Sequence, residues 1–289
     1  MKRIFHKYKG FEYILNNRSL ILQNIFMTKE NIFYSNDEIE DILKIFSNYL
    51  KNYSKNPNAY DLFGELDFIE NKDNSYSGPL YKFIHKDTYN SFISKGKFQL
   101  GSLQYYREIE RDESRDEKEG YSNIILHTNN RQILTSVISG FNNYIFCGTY
   151  DLTQIDVMAK NFGGYIIKIK NVKSFADKIK SAIGAASWQI EKVTYTDFKA
   201  FKSSLNAINL NGVGPDLSDE LFDILYKLSE LPSLFSKPTR FISEQEIRLA
   251  FTMNQKVKNR LNFDNLGLLD QIEIIKTTAN SKISAPPRL

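Results

Sequence analysis

The chain has 289 residues, 42% hydrophobic and 25% charged, a composition ordinary for a soluble globular protein with one large domain or two modest ones. Its formal charge of +4 and pI near 8.8 are compatible with a nucleic acid or an anionic small molecule, but fall short of a dedicated basic arm. A single cysteine, Cys147, excludes an internal disulfide framework and a multi-cysteine zinc site, so a reducing cytosol is the expected compartment.

The N-terminal run Met1-Lys-Arg-Ile-Phe-His-Lys-Tyr-Lys9 interleaves charge with aromatics and lacks the apolar core of a signal peptide. No stretch approaches a membrane span, so the expectation is a cytoplasmic protein without a membrane partner. From Asn36, with Asp37 and Glu38 in the first turn, Ile39, Ile42, Leu43, Phe46, Tyr49, Leu50 and Tyr53 recur at helical spacing. The turn formers from Asn71 to Pro79 then break all periodicity. These signals predict a small helical N-terminal region, residues 1–77, ahead of a second domain, residues 78–289.

That second domain reads as α+β. Strands are expected at Tyr81–His85, Lys97–Arg107, Asn143–Tyr150, Gly164–Lys170 and Glu191–Tyr195. A short helix at Asp87–Lys95 ends at Gly96, and another helix carries Phe175, Ile179 and Ile183 on one face. Ser218 caps a third helix over residues 218–231, with Leu221, Leu225 and Leu228 inward and Pro232 closing it. A last strand is expected across Lys237–Phe251. Because strand side chains alternate, Glu244, Glu246 and Arg248 would share one face, with Ile247, Leu249 and Phe251 on the other facing a core. A charged row is commonly just a wet face, so the context of the row matters.

Two stretches carry candidate chemistry. In Gln104-Tyr-Tyr-Arg107 a strand is expected to run into a polar loop, where Tyr105 and Tyr106 can stack on a planar ring and Arg107 can hold a phosphate. Beyond it, Glu110, Asp112, Asp116, Glu117 and Glu119 offer hard oxygen ligands, but Arg111, Arg115 and Lys118 interrupt them and no calcium or zinc spacing is present. No metal is expected. His6, His85 and His127 are scattered, no Gly-x-Ser-x-Gly run exists, and Gly163-Gly164 precedes a strand instead of opening a helix. Ordinary hydrolases, kinases and dehydrogenases are therefore disfavoured.

Taken in order, Leu80-Tyr-Lys-Phe83, Leu100-Gly-Ser-Leu-Gln-Tyr-Tyr-Arg-Glu108, Tyr144-Ile-Phe-Cys-Gly148, Phe162-Gly-Gly-Tyr165 and Phe241-Ile-Ser-Glu-Gln-Glu-Ile-Arg248 resemble an uncharacterised bacterial family that is similar to ADP-ribosyltransferases. The relatives include nucleic-acid-modifying toxins of toxin–antitoxin and phage-defence systems, and the likeness spans about residues 78–275. It implies a split mixed or antiparallel β-sheet with flanking helices that grips NAD as substrate. It also implies a Glu-x-Glu pair at Glu244 and Glu246, with Glu246 catalytic and Glu244 steering or deprotonating the acceptor.

The same resemblance puts Lys82 where the family has His or Arg against NAD, flanked by Tyr81 and Phe83. Tyr105 and Tyr106 would complete the cofactor-binding set, with Tyr106 stacked on nicotinamide, and Arg107 would hold phosphate or orient the acceptor. No Ser-Thr-Ser run stands on a middle strand. What the resemblance implies is transfer of ADP-ribose to a macromolecule, with an antitoxin or defence-system protein as partner; mild basicity and the 17 tyrosines and 21 phenylalanines favour RNA or DNA over protein as the acceptor. Two alternatives stay open: an inactive NAD- or nucleotide-binding sensor, and a metal-dependent nuclease using the acidic loop.

Overall fold

The computed structural model describes residues 6–8, 11–15, 19–22, 64–65, 76–108, 116, 119–127, 132–195, 200–204, 230–257 and 259–276. In chain order the strands are β1 His6–Tyr8, β2 Phe11–Leu15, β3 Ser19–Leu22, β4 Gly64–Glu65, β5 Leu80–Ile84, β6 Lys97–Ser102, β7 Tyr121–His127, β8 Gln132–Ser139, β9 Asn143–Thr149, β10 Tyr165–Ile169, β11 Ser187–Lys192, β12 Thr194–Tyr195, β13 Ala200–Ser204, β14 Ser236–Lys237, β15 Glu246–Thr252, β16 Arg260–Asp264 and β17 Ile272–Lys276. The chain is α+β, and its antiparallel sheet carries helices.

It divides into two compact units, each discontinuous in sequence. The first comprises Met1–Asp73, Leu103–Asn142 and Thr194–Thr239; the second comprises Asn74–Ser102, Asn143–Val193 and Arg240–Leu289. The expected break near residue 77 lies close to the start of the second unit, whereas the span 78–289 is shared between the two.

In the first unit a seven-stranded sheet runs β1-β2-β3-β8-β7-β13-β4, with β13 parallel to both neighbours and the other pairings antiparallel. Residues expected to be helical at the N-terminus are instead an antiparallel meander where they are described, β1 to β3. The helix expected from Asn36 to Tyr53 lies outside the described residues. Of the helix expected over 218–231, only its end is described: residues 230–234 are helical, so the helix passes through Pro232 and stops at Leu234.

The second unit is built on antiparallel strands in the order β11-β15-β9-β5-β10-β17, with β6 and β16 joined through β9. The helix Val172–Ile183 begins at Asn171, whose side chain accepts from the Ser174 N–H at 2.9 Å, and ends at Gly184 in the left-handed region. Its apolar stripe of Val172, Phe175, Ala176 and Ile179 is buried against one face of the sheet, among Leu80, Phe98, Leu100, Phe146, Ile167, Ile247, Leu249 and Phe251. A second helix, Ile155–Phe162, was not foreseen. It covers the other face of β5 and β10, where Met158 packs with Phe83 and Ile166.

The sheet forks at β9. On that edge β5 pairs with it only at Tyr81 opposite Thr149, and β6 only at Gly101 opposite Ile145 and Ser102 opposite Tyr144. Among the described residues, none is in a strand paired to 146–148 on that side. Gly148 sits in the crotch, where an added Cβ would fall 2.4 Å from Leu80 Cδ2 and 2.7 Å from the Tyr81 carbonyl oxygen, so only glycine lets the two strands converge there.

Candidate functional site

The expected strand across Lys237–Phe251 is broken into three pieces: β14, a 3₁₀ turn over Thr239–Glu244, and β15. Pro238 cannot donate to a ladder, and Gln245 takes a left-handed backbone with φ of 42°, which sets the direction of β15. That conformation is held from both sides. The Gln245 N–H donates to the Ile242 carbonyl at 3.2 Å, its carbonyl accepts from Thr149 Oγ1 at 3.0 Å, and the Tyr150 hydroxyl donates to its side-chain oxygen. Glu244 therefore lies at the end of the turn and does not share a strand face with Glu246 and Arg248, contrary to the sequence expectation.

Glu246 and Arg248 do share one. β15 is interior, flanked by β11 and β9, and its alternation sends Ile247, Leu249 and Phe251 into the apolar core. On the opposite face Arg248 Nε donates to Glu246 Oε1 at 2.7 Å, with the two residues only 1% and 4% exposed. A charge-assisted bond of that length inside a dry sheet is a strong local constraint.

Cys147 stands directly across from Arg248 on β9. Burial pushes its thiol well above the ordinary range, reinforced by the nearby Glu246 carboxylate; Arg248 and Lys82 pull the other way. Both influences disfavour the thiolate form.

Lys82 spans the fork. Its ammonium donates to the Cys147 carbonyl at 2.9 Å and lies 4.6 Å from the centre of the Phe146 ring. A side chain thus serves part of the edge of β9 that no described strand pairs. Burial lowers the Lys82 pKa, opposed by Cys147 and Glu246, which favour the charged form.

The remaining expected site residues divide between places. Tyr81 and Phe83 flank Lys82 on β5 but point to the other face, where Phe83 is core against Met158 and Tyr81 packs alongside. Phe83 is thus packing, not an open ligand contact. Tyr105, Tyr106 and Arg107 belong to the first unit, and the strand expected over Lys97–Arg107 stops at Ser102, giving way to the helix Leu103–Glu108. Leu103 is wholly buried at the start of that helix, which turns the two tyrosines edge to face with centroids 5.2 Å apart. Arg107 donates to the Glu119 carbonyl at 2.5 Å and lies 5.8 Å from the Phe141 ring centre, contacts that fasten the acidic loop's return.

Of that loop Asp116 and Glu119 are described, each 1% exposed; Glu110, Asp112 and Glu117 lie outside the described residues. Among the described residues no group of three or more His, Cys, Asp or Glu side chains is placed to hold a metal ion. No helix among them is long and apolar enough to cross a membrane.

Sequence reasoning missed two features. Tyr76, Tyr150 and Lys192 gather at the junction of β5 and β9, with the Lys192 ammonium 4.2 Å from the Tyr150 ring centre and 5.8 Å from that of Tyr76. Burial, together with the neighbouring Tyr81 and Tyr150, raises the Tyr76 hydroxyl to about 12. The other is Glu191, paired in register with Arg248 from β11 and raised by burial from the usual 4.5 to about 7. Placing the strand at Glu191–Tyr195 hid it. The alternation of Trp188 and Ile190 in Ser187–Lys192 is the signal that would have put Glu191 on the polar face.

Comparison of the chain with protein-family models, with curated proteins and with solved structures finds no match.

Proposed function

We propose that the protein is an ADP-ribosyltransferase that cleaves NAD at its nicotinamide bond and transfers ADP-ribose to a macromolecule, a nucleic acid in preference to a protein, as a toxin-like or antiphage effector. The observation that carries this reading is Glu246, an acid at the head of an interior strand, beside a sheet that forks with a cation across the gap. The sequence resemblance supplies the activity, and the second unit supplies a layout compatible with it.

In that reaction the carbon–nitrogen bond to nicotinamide breaks, nicotinamide leaves with the electron pair, and positive charge builds on the ribose. A carboxylate facing that charge stabilises the transition state. Glu246 is assigned this role. The acceptor's nucleophile then bonds to the anomeric carbon and gives up its proton, for which Glu244 at the end of the preceding turn is the assigned base. Lys82 suits the pyrophosphate by charge, although its bond to the Cys147 carbonyl must yield. The region 1–77 is assigned to acceptor recognition, shielding or docking of an antitoxin.

A second reading is favoured by one specific feature. Arg248 already neutralises Glu246, and a carboxylate so held suits a sensor that binds NAD or another nucleotide without turnover. Incubating the purified protein with NAD and following nicotinamide separates the readings: release in the presence of chelator supports the transferase, and binding without release supports the sensor. Chelator-sensitive cleavage of nucleic acid with no effect on NAD overturns both in favour of a nuclease.

A further inference from the structure

Glu246 cannot both stabilise charge on a substrate and stay clamped to Arg248. Both side chains keep further contacts, but parting a buried carboxylate from its guanidinium is strongly unfavourable unless another anion takes its place. A working site of the kind proposed above therefore needs somewhere for the guanidinium to go.

The strand register supplies that place. On β11, Trp188 and Ile190 lie opposite Phe251 and Leu249 and pack on the apolar core, so Glu191 points to the other face, directly opposite Arg248. Directly opposed residues of an antiparallel pair have Cβ atoms about 4.5–5.5 Å apart, well within the reach of an arginine. Arg248 thus has two acidic neighbours on one face: Glu246, two residues earlier on its own strand, and Glu191 across the ladder. Only the first is bonded to it in this structure. Among the described residues no hydrogen bond or ion pair engages the Glu191 carboxyl, and burial alone accounts for its rise to about 7. The ionisable groups that these strands place here are Glu191 from β11, Glu246 and Arg248 from β15, and Cys147 from β9, with Lys82 on β5 coupled to Glu246 and Cys147.

We propose that Glu191 is a positioning residue, a second seat for the Arg248 guanidinium, which passes from Glu246 to Glu191 when the Glu246 carboxylate is engaged by substrate. The exchange keeps one ion pair in the buried patch at every stage. It also moves a proton: a Glu191 that receives the guanidinium ionises, and its proton leaves to solvent. This deepens the transferase reading and rests on it for its purpose, but the exchange itself is a property of three side chains and is testable without NAD.

The test follows the Glu191 carboxyl carbon by NMR in protein labelled at its glutamate side-chain carboxyls, with the signal assigned by its loss in Glu191→Gln. Burial raises the Glu191 carboxyl to about 7, which sets the midpoint expected for the wild type. In Glu246→Gln, where Arg248 no longer faces the Glu246 carboxylate, the midpoint should fall by about two pH units or more as the guanidinium turns to Glu191. Should that variant fail to fold, Glu246→Asp, which withdraws the carboxylate by one methylene, should give a smaller fall in the same direction. An unchanged Glu191 midpoint in a folded variant overturns the proposal. Adding NAD to the wild type should also depress the midpoint, and bound NAD with no depression overturns it too. A protein that binds no NAD overturns the proposed function instead, and the Glu246-variant midpoint alone then decides the exchange.

Discussion

On one face of β15, Ile247, Leu249 and Phe251 enter a core of aliphatic and aromatic side chains; on the other, Glu246 and Arg248 are almost as thoroughly excluded from solvent and are bonded to each other. Burial is the same and the chemistry is opposite. Apolar side chains gain by leaving water, whereas a carboxylate and a guanidinium lose hydration that their mutual attraction only partly restores. Stability alone would favour apolar residues on both faces of an interior strand. The contrast marks the polar face as the costly one, which is why the proposed functional assignment is placed there.

The comparison breaks most sharply if Arg248 is removed. Arg248→Met takes from the buried Glu246 carboxylate its ion-pair partner at 2.7 Å and should cost about 3–5 kcal/mol in urea unfolding. Replacing both members, Glu246→Leu with Arg248→Met, should recover most of that loss. A double variant no better than the single one would mean that the face needs its charges for folding.

On the apolar face Leu249→Ala should cost about 3 kcal/mol through lost burial and the cavity left behind, and no partner change should restore it. At the fork, Gly148→Ala forces a methyl group against Leu80 and the Tyr81 carbonyl, with an expected loss of about 1–3 kcal/mol.

The smallest effect is on pH dependence. Glu191 has its folded pKa raised from 4.5 to about 7, so the native state holds a proton that the unfolded chain releases earlier. Its contribution favours the fold below the unfolded value and is withdrawn as pH climbs toward 7, by about 2 kcal/mol after allowing for partial exposure. Glu191→Gln should flatten that part of the stability profile, as measured by denaturant midpoints at a series of pH values. A variant profile that keeps the wild-type slope would remove Glu191 from this account.

Much of this layout could be read from the chain. Gly96 marked the end of its helical segment, the 3.6-residue spacing of Phe175, Ile179 and Ile183 placed a helix correctly, and the alternation of Ile247, Leu249 and Phe251 placed Glu246 and Arg248 on one face. Local pattern failed where backbone geometry overrides it. Nothing in the letters Glu-Gln-Glu signals that Gln245 turns left-handed and parts Glu244 from Glu246. Tyr105 and Tyr106 suit a strand by composition, yet the chain coils into a helix at Leu103. The fork at β9, the Lys82 bridge and the register that sets Glu191 against Arg248 depend on pairings between distant segments, which a linear reading cannot supply.

The most direct measurement of the central claim compares nicotinamide release from NAD by the wild type and by Glu246→Gln, with folding of the variant checked by its unfolding transition. The account predicts that the folded variant turns over about 10²-fold to 10³-fold more slowly, the scale expected for losing a transition-state electrostatic partner. A folded Glu246→Gln protein that releases nicotinamide at the wild-type rate would contradict it.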